Sequence, residues 1–262
     1  MAENITIVTG SKGGVGTTTV ALNLGVQAAN QSRKRIGLLD LARPFGQISM
    51  MLNLEPRFTI LDALERIDRL DEAGLASLAM RHKAGVEVLA GPLHAPMKQD
   101  QRQSVTLDAL ARLVEISGRA FDRVIVDMGV VNAAEWAPVL RAASTILLVA
   151  EPSELALGMI DRHIAAAGPA GVECARIHVV INRWRQHDGE ALASFEKAHS
   201  RPVLTRLPND YRQVTEAVAL GTPLVGSTNN ALLARYRELA GWLLAGTDGA
   251  SGVAQPVSKA KV

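Results

Sequence analysis

The chain has 262 residues, 48% hydrophobic, 21% charged and only 3% aromatic, a globular composition whose core must be filled mainly by Ala, Val, Leu and Ile. A formal charge of +2, from 28 Lys and Arg against 26 Asp and Glu, gives no general attraction to nucleic acid, although Arg183, Arg185, Arg201, Arg206, Arg212 and Arg235 leave local patches open. The single Cys174 excludes an internal disulfide or a thiolate metal site within one chain; with neither a secretory leader pattern nor an apolar run of ~18 residues, a soluble cytosolic protein is expected.

In chain order, the apolar run Ile5 to Thr9 predicts a buried strand, followed by the glycine-rich Gly10 to Thr19 and a helical pattern from Thr18 to Ala29. Further strands are predicted at Ile36 to Asp40, Val86 to Ala90, Val124 to Asp127, Thr145 to Ala150, Ile177 to Asn182 and Val203 to Arg206. Helical periods fall between them at Leu107 to Ser117, Ala133 to Ala142, Leu155 to Ala166 and Ala191 to Ala198. Strands that read as continuous apolar runs and alternate with helices imply a single doubly wound α/β domain over residues 1–245, with a mostly parallel sheet covered on both faces. The polar, aperiodic stretch 246–262 reads as a disordered tail. Ligands of such sheets sit at the carboxyl ends of the strands, which singles out Gly10 to Thr19, Asp40 and Asp127.

A strand, a glycine-rich loop and a helix in succession form a phosphate-binding loop: backbone N–H groups point inward, and the helix N-terminus adds partial positive charge. The loop here is Gly10-Ser11-Lys12-Gly13-Gly14-Val15-Gly16-Thr17-Thr18-Thr19. The common pattern GxxxxGK[ST] has Lys where Thr17 stands and Gly where Ser11 stands, so the loop's one cation, Lys12, precedes the glycines. Asp127, at the end of FDRVIVD, has the form of an acid delivered by an apolar strand toward a hydrated Mg²⁺.

SKGGVGTTT resembles the deviant Walker A loop of the ParA/MinD P-loop ATPases, and the likeness extends through FGQISMMLNLEPRFTILDALERIDRLDEA, FDRVIVDMG, AASTILLVAEPSELAL, VVINRW and LPNDYRQVTEAVALGTPLV. It is nearest to the CpaE/TadZ-like branch of tight-adherence pilus systems, where a small residue commonly replaces the loop lysine. The resemblance implies ATP and Mg²⁺ as cofactors, bound by Lys12, Gly13, Gly14, Val15, Gly16, Thr17, Thr18 and Thr19. Thr18, Asp40 and Asp127 would serve the metal, and Lys12 would reach across a nucleotide-sandwich homodimer to the partner's ATP. Asn182 matches an Asn that contacts adenine, and Pro208, Asn209 and Asp210 match a loop near the base.

Asp40 matches the first acid of the family's Asp-x-Asp, near the hydrolytic centre, while the second, which positions the attacking water, is replaced by Ala42. A methyl group cannot orient water, so Lys12 and Asp40 are left as the candidate catalytic residues and weak or absent hydrolysis is expected. The resemblance implies a dimerising localisation or assembly factor for a pilus or secretion apparatus, recruited to a pole or complex. An active DNA-partition ATPase and a nucleotide-free scaffold stand as alternatives, and the C-terminal stretch lacks the amphipathic membrane helix of MinD. A receiver-like domain often precedes this domain in the resembling proteins; here the loop strand begins at about Asn4, with such a domain either lacking or left out of the sequence. His82, His94, His163, His178, His187 and His199 lack metal-ligand spacing and read as surface or core residues.

Overall fold

The computed structural model describes residues 3–93, 105–199, 202–225 and 230–246. The stretch expected to be a disordered tail lies, from residue 247 onward, outside the described residues, as does His94. The described chain forms one α/β domain around an 8-stranded sheet of order β3-β4-β2-β5-β1-β6-β7-β8. The strands are β1 (Ile5–Gly10), β2 (Ile36–Asp40), β3 (Met80–Arg81), β4 (Val86–Leu89), β5 (Arg123–Asp127), β6 (Thr145–Ala150), β7 (Ile177–Trp184) and β8 (Val203–Pro208). Every neighbouring pair is parallel except β3 with β4. Parallel strands must be covered on both faces, and β1, β2 and β6 are buried at every position, which is why they read as unbroken apolar runs.

Helices α1 (Thr17–Gln31) and α10 (Ala231–Ala245) cover one face, where Val20, Leu24 and Tyr236 pack on Val8, Leu38 and Leu147. The other face is covered by α3 (Ile60–Leu64), α4 (Glu72–Leu78), α5 (Leu107–Ala120), α6 (Ala137–Arg141), α7 (Glu154–Ala167) and α8 (Gly189–His199), with Leu110, Leu113 and Ile160 among its buried side chains. Two further helices, α2 (Ile48–Met51) and α9 (Tyr211–Ala219), follow the carboxyl ends of β2 and β8.

The helix expected from Ala133 starts only at Ala137. Asn132 explains the delay: its Oδ1 accepts from the Ala134 amide at 2.9 Å and turns the chain before the helix can begin. Strand β3 has no counterpart in the sequence pattern, because two residues carry no period.

Candidate functional site

The sheet order sets β2, β5, β1, β6 and β7 side by side, and the loops leaving their carboxyl ends converge. The first of these is the phosphate loop. Its strand end is fixed by Gly10 N donating to the Gly129 carbonyl at 2.8 Å and Ser11 N to the Val149 carbonyl at 2.7 Å, so neighbouring strands brace it on both sides.

The loop enters α1 through Gly16 at φ 91°, a left-handed conformation that only glycine adopts without strain, and no side chain caps the helix. By contrast Asp71, Thr106, Ser153, Asp210 and Asn230 cap α4, α5, α7, α9 and α10. The first N–H groups of α1 therefore lack side-chain acceptors at the place where an anion would supply them. A methyl group at Gly13 or Gly14 would meet nothing within 4 Å, so both exposed glycines border open space. Thr17 is buried, with its hydroxyl turned back toward Gly10, where a Cβ would come to 2.5 Å.

Two carboxylates lie behind the loop. Asp40 and Asp127 are register partners on β2 and β5, and both are fully buried. Asp127 Oδ1 accepts from the Gly129 amide at 3.1 Å, whereas Oδ2 is buried without a hydrogen-bond donor. Burial holds the Asp127 carboxyl above its ordinary value, with the nearby Thr18 hydroxyl and the Gly129 amide acting in the opposite direction. Asp40 is pushed up to about 7 by burial and by the charge of Asp127, partly offset by backbone amides at Ile48, Ala42 and Gln47. Its oxygens accept from Ala42 N at 3.2 Å and Ile48 N at 2.9 Å, so the side chain also shapes the turn into α2.

An orphaned carboxylate oxygen, a second carboxylate and a threonine hydroxyl, all oxygen donors, suit a hard divalent cation such as Mg²⁺. The open glycine loop and the uncapped helix beside them suit a phosphate chain.

Lys12 is held within its own chain, with Nζ 2.6 Å from Glu151 Oε1. Glu151 also lies 3.5 Å from Arg183 Nη1, and the two cations, Lys12 first, hold its carboxyl below its ordinary value. Asn182 Nδ2 donates to the Val15 carbonyl at 2.8 Å, tying β7 to the loop. Thr19 stands in the first turn of α1, its carbonyl accepting from Asn23 Nδ2 at 2.8 Å. Pro208 ends β8 opposite Trp184, and Asp210 caps α9 by accepting from Gln213 N at 3.0 Å. Thus Thr18, Asp40 and Asp127 gather on one side of the loop and Lys12 and Asn182 on the other, while Pro208 and Asp210 sit further out along the β7–β8 edge.

Three residues on or beside these loops escaped the sequence reading. Glu151 stands directly after β6, where the strand-end rule that singled out Asp40 and Asp127 also applies. His163, on α7, places Nε2 3.1 Å from the Ser11 carbonyl, and nothing in its sequence surroundings signals this contact. Arg43, one residue beyond Ala42, sets its guanidinium 5.2 Å from the centre of the Trp136 ring.

No protein-family model matches this chain. The septum site-determining protein MinD of Thermotoga maritima is 26% identical over 245 residues, spanning 90% of this chain and 86% of that protein. A ParA family ATPase from Chlorobium tepidum superposes with a TM-score of 0.81 at 20% identity, covering 91% of this chain and 99% of that one. MinD of Pyrococcus horikoshii, solved with Mg-ADP, gives 0.73 at 19% identity and covers 97% and 98%. The chain shares the fold of these ParA and MinD structures, and in sequence it is similar to MinD along most of its length.

Proposed function

We propose that the chain binds ATP with Mg²⁺ between two copies of itself and acts as a localisation or assembly factor for a pilus or secretion apparatus, with ATP hydrolysis weak or absent. The observation that carries the nucleotide reading is the buried, donorless Asp127 Oδ2 beside Thr18, behind the open glycine loop. Burying a carboxylate oxygen without a partner costs free energy, and a bound cation would recover it. The positional role is carried over from the resemblance to CpaE/TadZ-like proteins and from the likeness to a septum site-determining protein.

Bound Mg·ATP would supply a phosphate chain whose charge changes on hydrolysis; holding that chain, and assembling around it, falls to this protein's own residues. The N–H groups of residues 13–18 would hold the phosphates, Thr18 and Asp127 the metal, and Lys12, once released from Glu151, would serve the facing copy. Hydrolysis needs a positioned water and a cation that neutralises developing charge. Thr17 supplies no cation, and Ala42 presents a methyl group close to Gly129, where a Cβ would lie 3.6 Å from that of Ala42. Each absence costs about 10²-fold or more in rate when it acts alone, and the two need not add.

Phosphate release at saturating Mg·ATP tests this reading, with the dimer fraction matched by light scattering. Near-background turnover in the native protein, raised more by Thr17→Lys with Ala42→Asp than by either change alone, is expected. Robust native turnover that Asp127→Ala abolishes would overturn weak hydrolysis and favour a partition-type ATPase. A calorimetric titration showing no binding of Mg·ATP would leave a nucleotide-free scaffold.

A further inference from the structure

The site is short of positive charge. Two buried carboxylates face the space behind the loop, the usual lysine position is Thr17, and Lys12 is already engaged by Glu151 at 2.6 Å. A triphosphate adds further negative charge, which a metal ion offsets only in part. Of the other cations that border this space, Arg183 already faces Glu151 at 3.5 Å, whereas Arg43 faces no such acid. Arg43 follows Ala42 on the loop leaving β2, and that loop packs on the loop leaving β5, where a Cβ at Gly129 would lie 3.6 Å from the Ala42 methyl. Its guanidinium rests on Trp136, 5.2 Å from the ring centre, with Glu135 adding a favourable charge. Among the described residues it makes neither an ion pair nor a hydrogen bond.

We propose that Arg43 is the phosphate-chain cation of this protein, standing in for the lysine its loop lacks and parked on Trp136 when no phosphate is present. A guanidinium suits both states. It stacks on an aromatic face at modest cost, and its planar fork can meet two phosphate oxygens at once. Arg43 is exposed and would have only to leave the ring, whereas Lys12 must first leave an acid. Arg43 thus favours phosphate binding within one copy and Lys12 binding between two copies. This inference rests on the nucleotide reading above.

Calorimetric titration of the full chain with Mg·ATP and with AMP separates the outcomes. Arg43→Gln is expected to weaken Mg·ATP binding about tenfold or more while leaving AMP binding unchanged, and Arg43→Lys to recover part of the loss. The diagnostic comparison is epistatic: Thr17→Lys should restore Mg·ATP affinity in the Arg43→Gln background and add less to the native protein. Equal Mg·ATP affinity of native protein and Arg43→Gln would overturn the role of Arg43 and leave the nucleotide reading standing. So would a loss for Arg43→Gln that is equal for AMP, or one that Thr17→Lys does not repair. Absence of Mg·ATP binding by the native protein would overturn both.

Discussion

Lys12 and Glu151 form an ion pair of 2.6 Å between the phosphate loop and the end of β6, so the cation expected to serve a second copy is held by an acid of its own chain. Their side chains are 28% and 22% exposed, which limits the pair to about 1 kcal/mol. Glu151→Gln is therefore expected to strengthen ATP-dependent dimerisation about three- to fivefold, followed by light scattering across an ATP series. Unchanged assembly would show that the pair does not restrain Lys12.

Lys12→Ala removes the same cation outright. If dimerisation and ATP binding favour each other through Lys12, this variant loses the rise in dimer fraction with ATP that the native protein shows. Identical oligomeric states for both proteins at every ATP concentration would rule out a role across the dimer.

Asp40 titrates near pH 7 when folded and near pH 4 when unfolded, so the native state binds the extra proton between these values. The contribution to stability is full below about pH 4 and is lost as pH rises through 7. Urea denaturation of the nucleotide-free protein should accordingly show a loss of about 2–3 kcal/mol from pH 5 to pH 8 attributable to this group. Asp40→Asn should flatten that slope. A variant with the native pH dependence would place the titration elsewhere.

Gly16→Ala meets two obstacles. The residue has φ 91°, and an added Cβ would lie 2.4 Å from Asn182 Nδ2. Strain at the left-handed position and loss of the Asn182 bond to Val15 together cost about 2–3 kcal/mol. Thermal denaturation should show a clear loss of stability, with Asn182→Ala in the same chain relieving the contact but not the backbone strain. A Gly16→Ala protein as stable as native would mean that the loop adopts another path.

Much of this architecture was legible because its causes are local. Strands β1, β2, β5, β6 and β7 announce themselves as apolar runs, since a parallel strand covered on both faces tolerates little else. The phosphate loop and Asp127 are recognisable from residue types placed after such strands. The state of Lys12 was not legible, because its partner is 139 positions away in the chain and only the sheet order brings the two together. Asn182 illustrates the same limit. Its type and place suggest a base contact, while the described chain uses its amide to hold Val15. The late start of α6 was hidden for a different reason: the period of Ala133 to Ala142 is helical, but a single side-chain bond from Asn132 claims the first turn.

The bracing of Gly10 by Gly129 has a consequence for synthesis on the ribosome. The loop lies at the start of the chain, yet its first turn is closed by carbonyls of residues 129 and 149. A nascent chain of about a hundred residues already contains every loop residue and neither of the two carbonyls that brace it. Contacts so distant in sequence form slowly and late. Through the first half of translation the segment remains an open glycine-rich stretch, and the capacity to hold a phosphate arises only once the fifth and sixth strands have emerged and paired with the first.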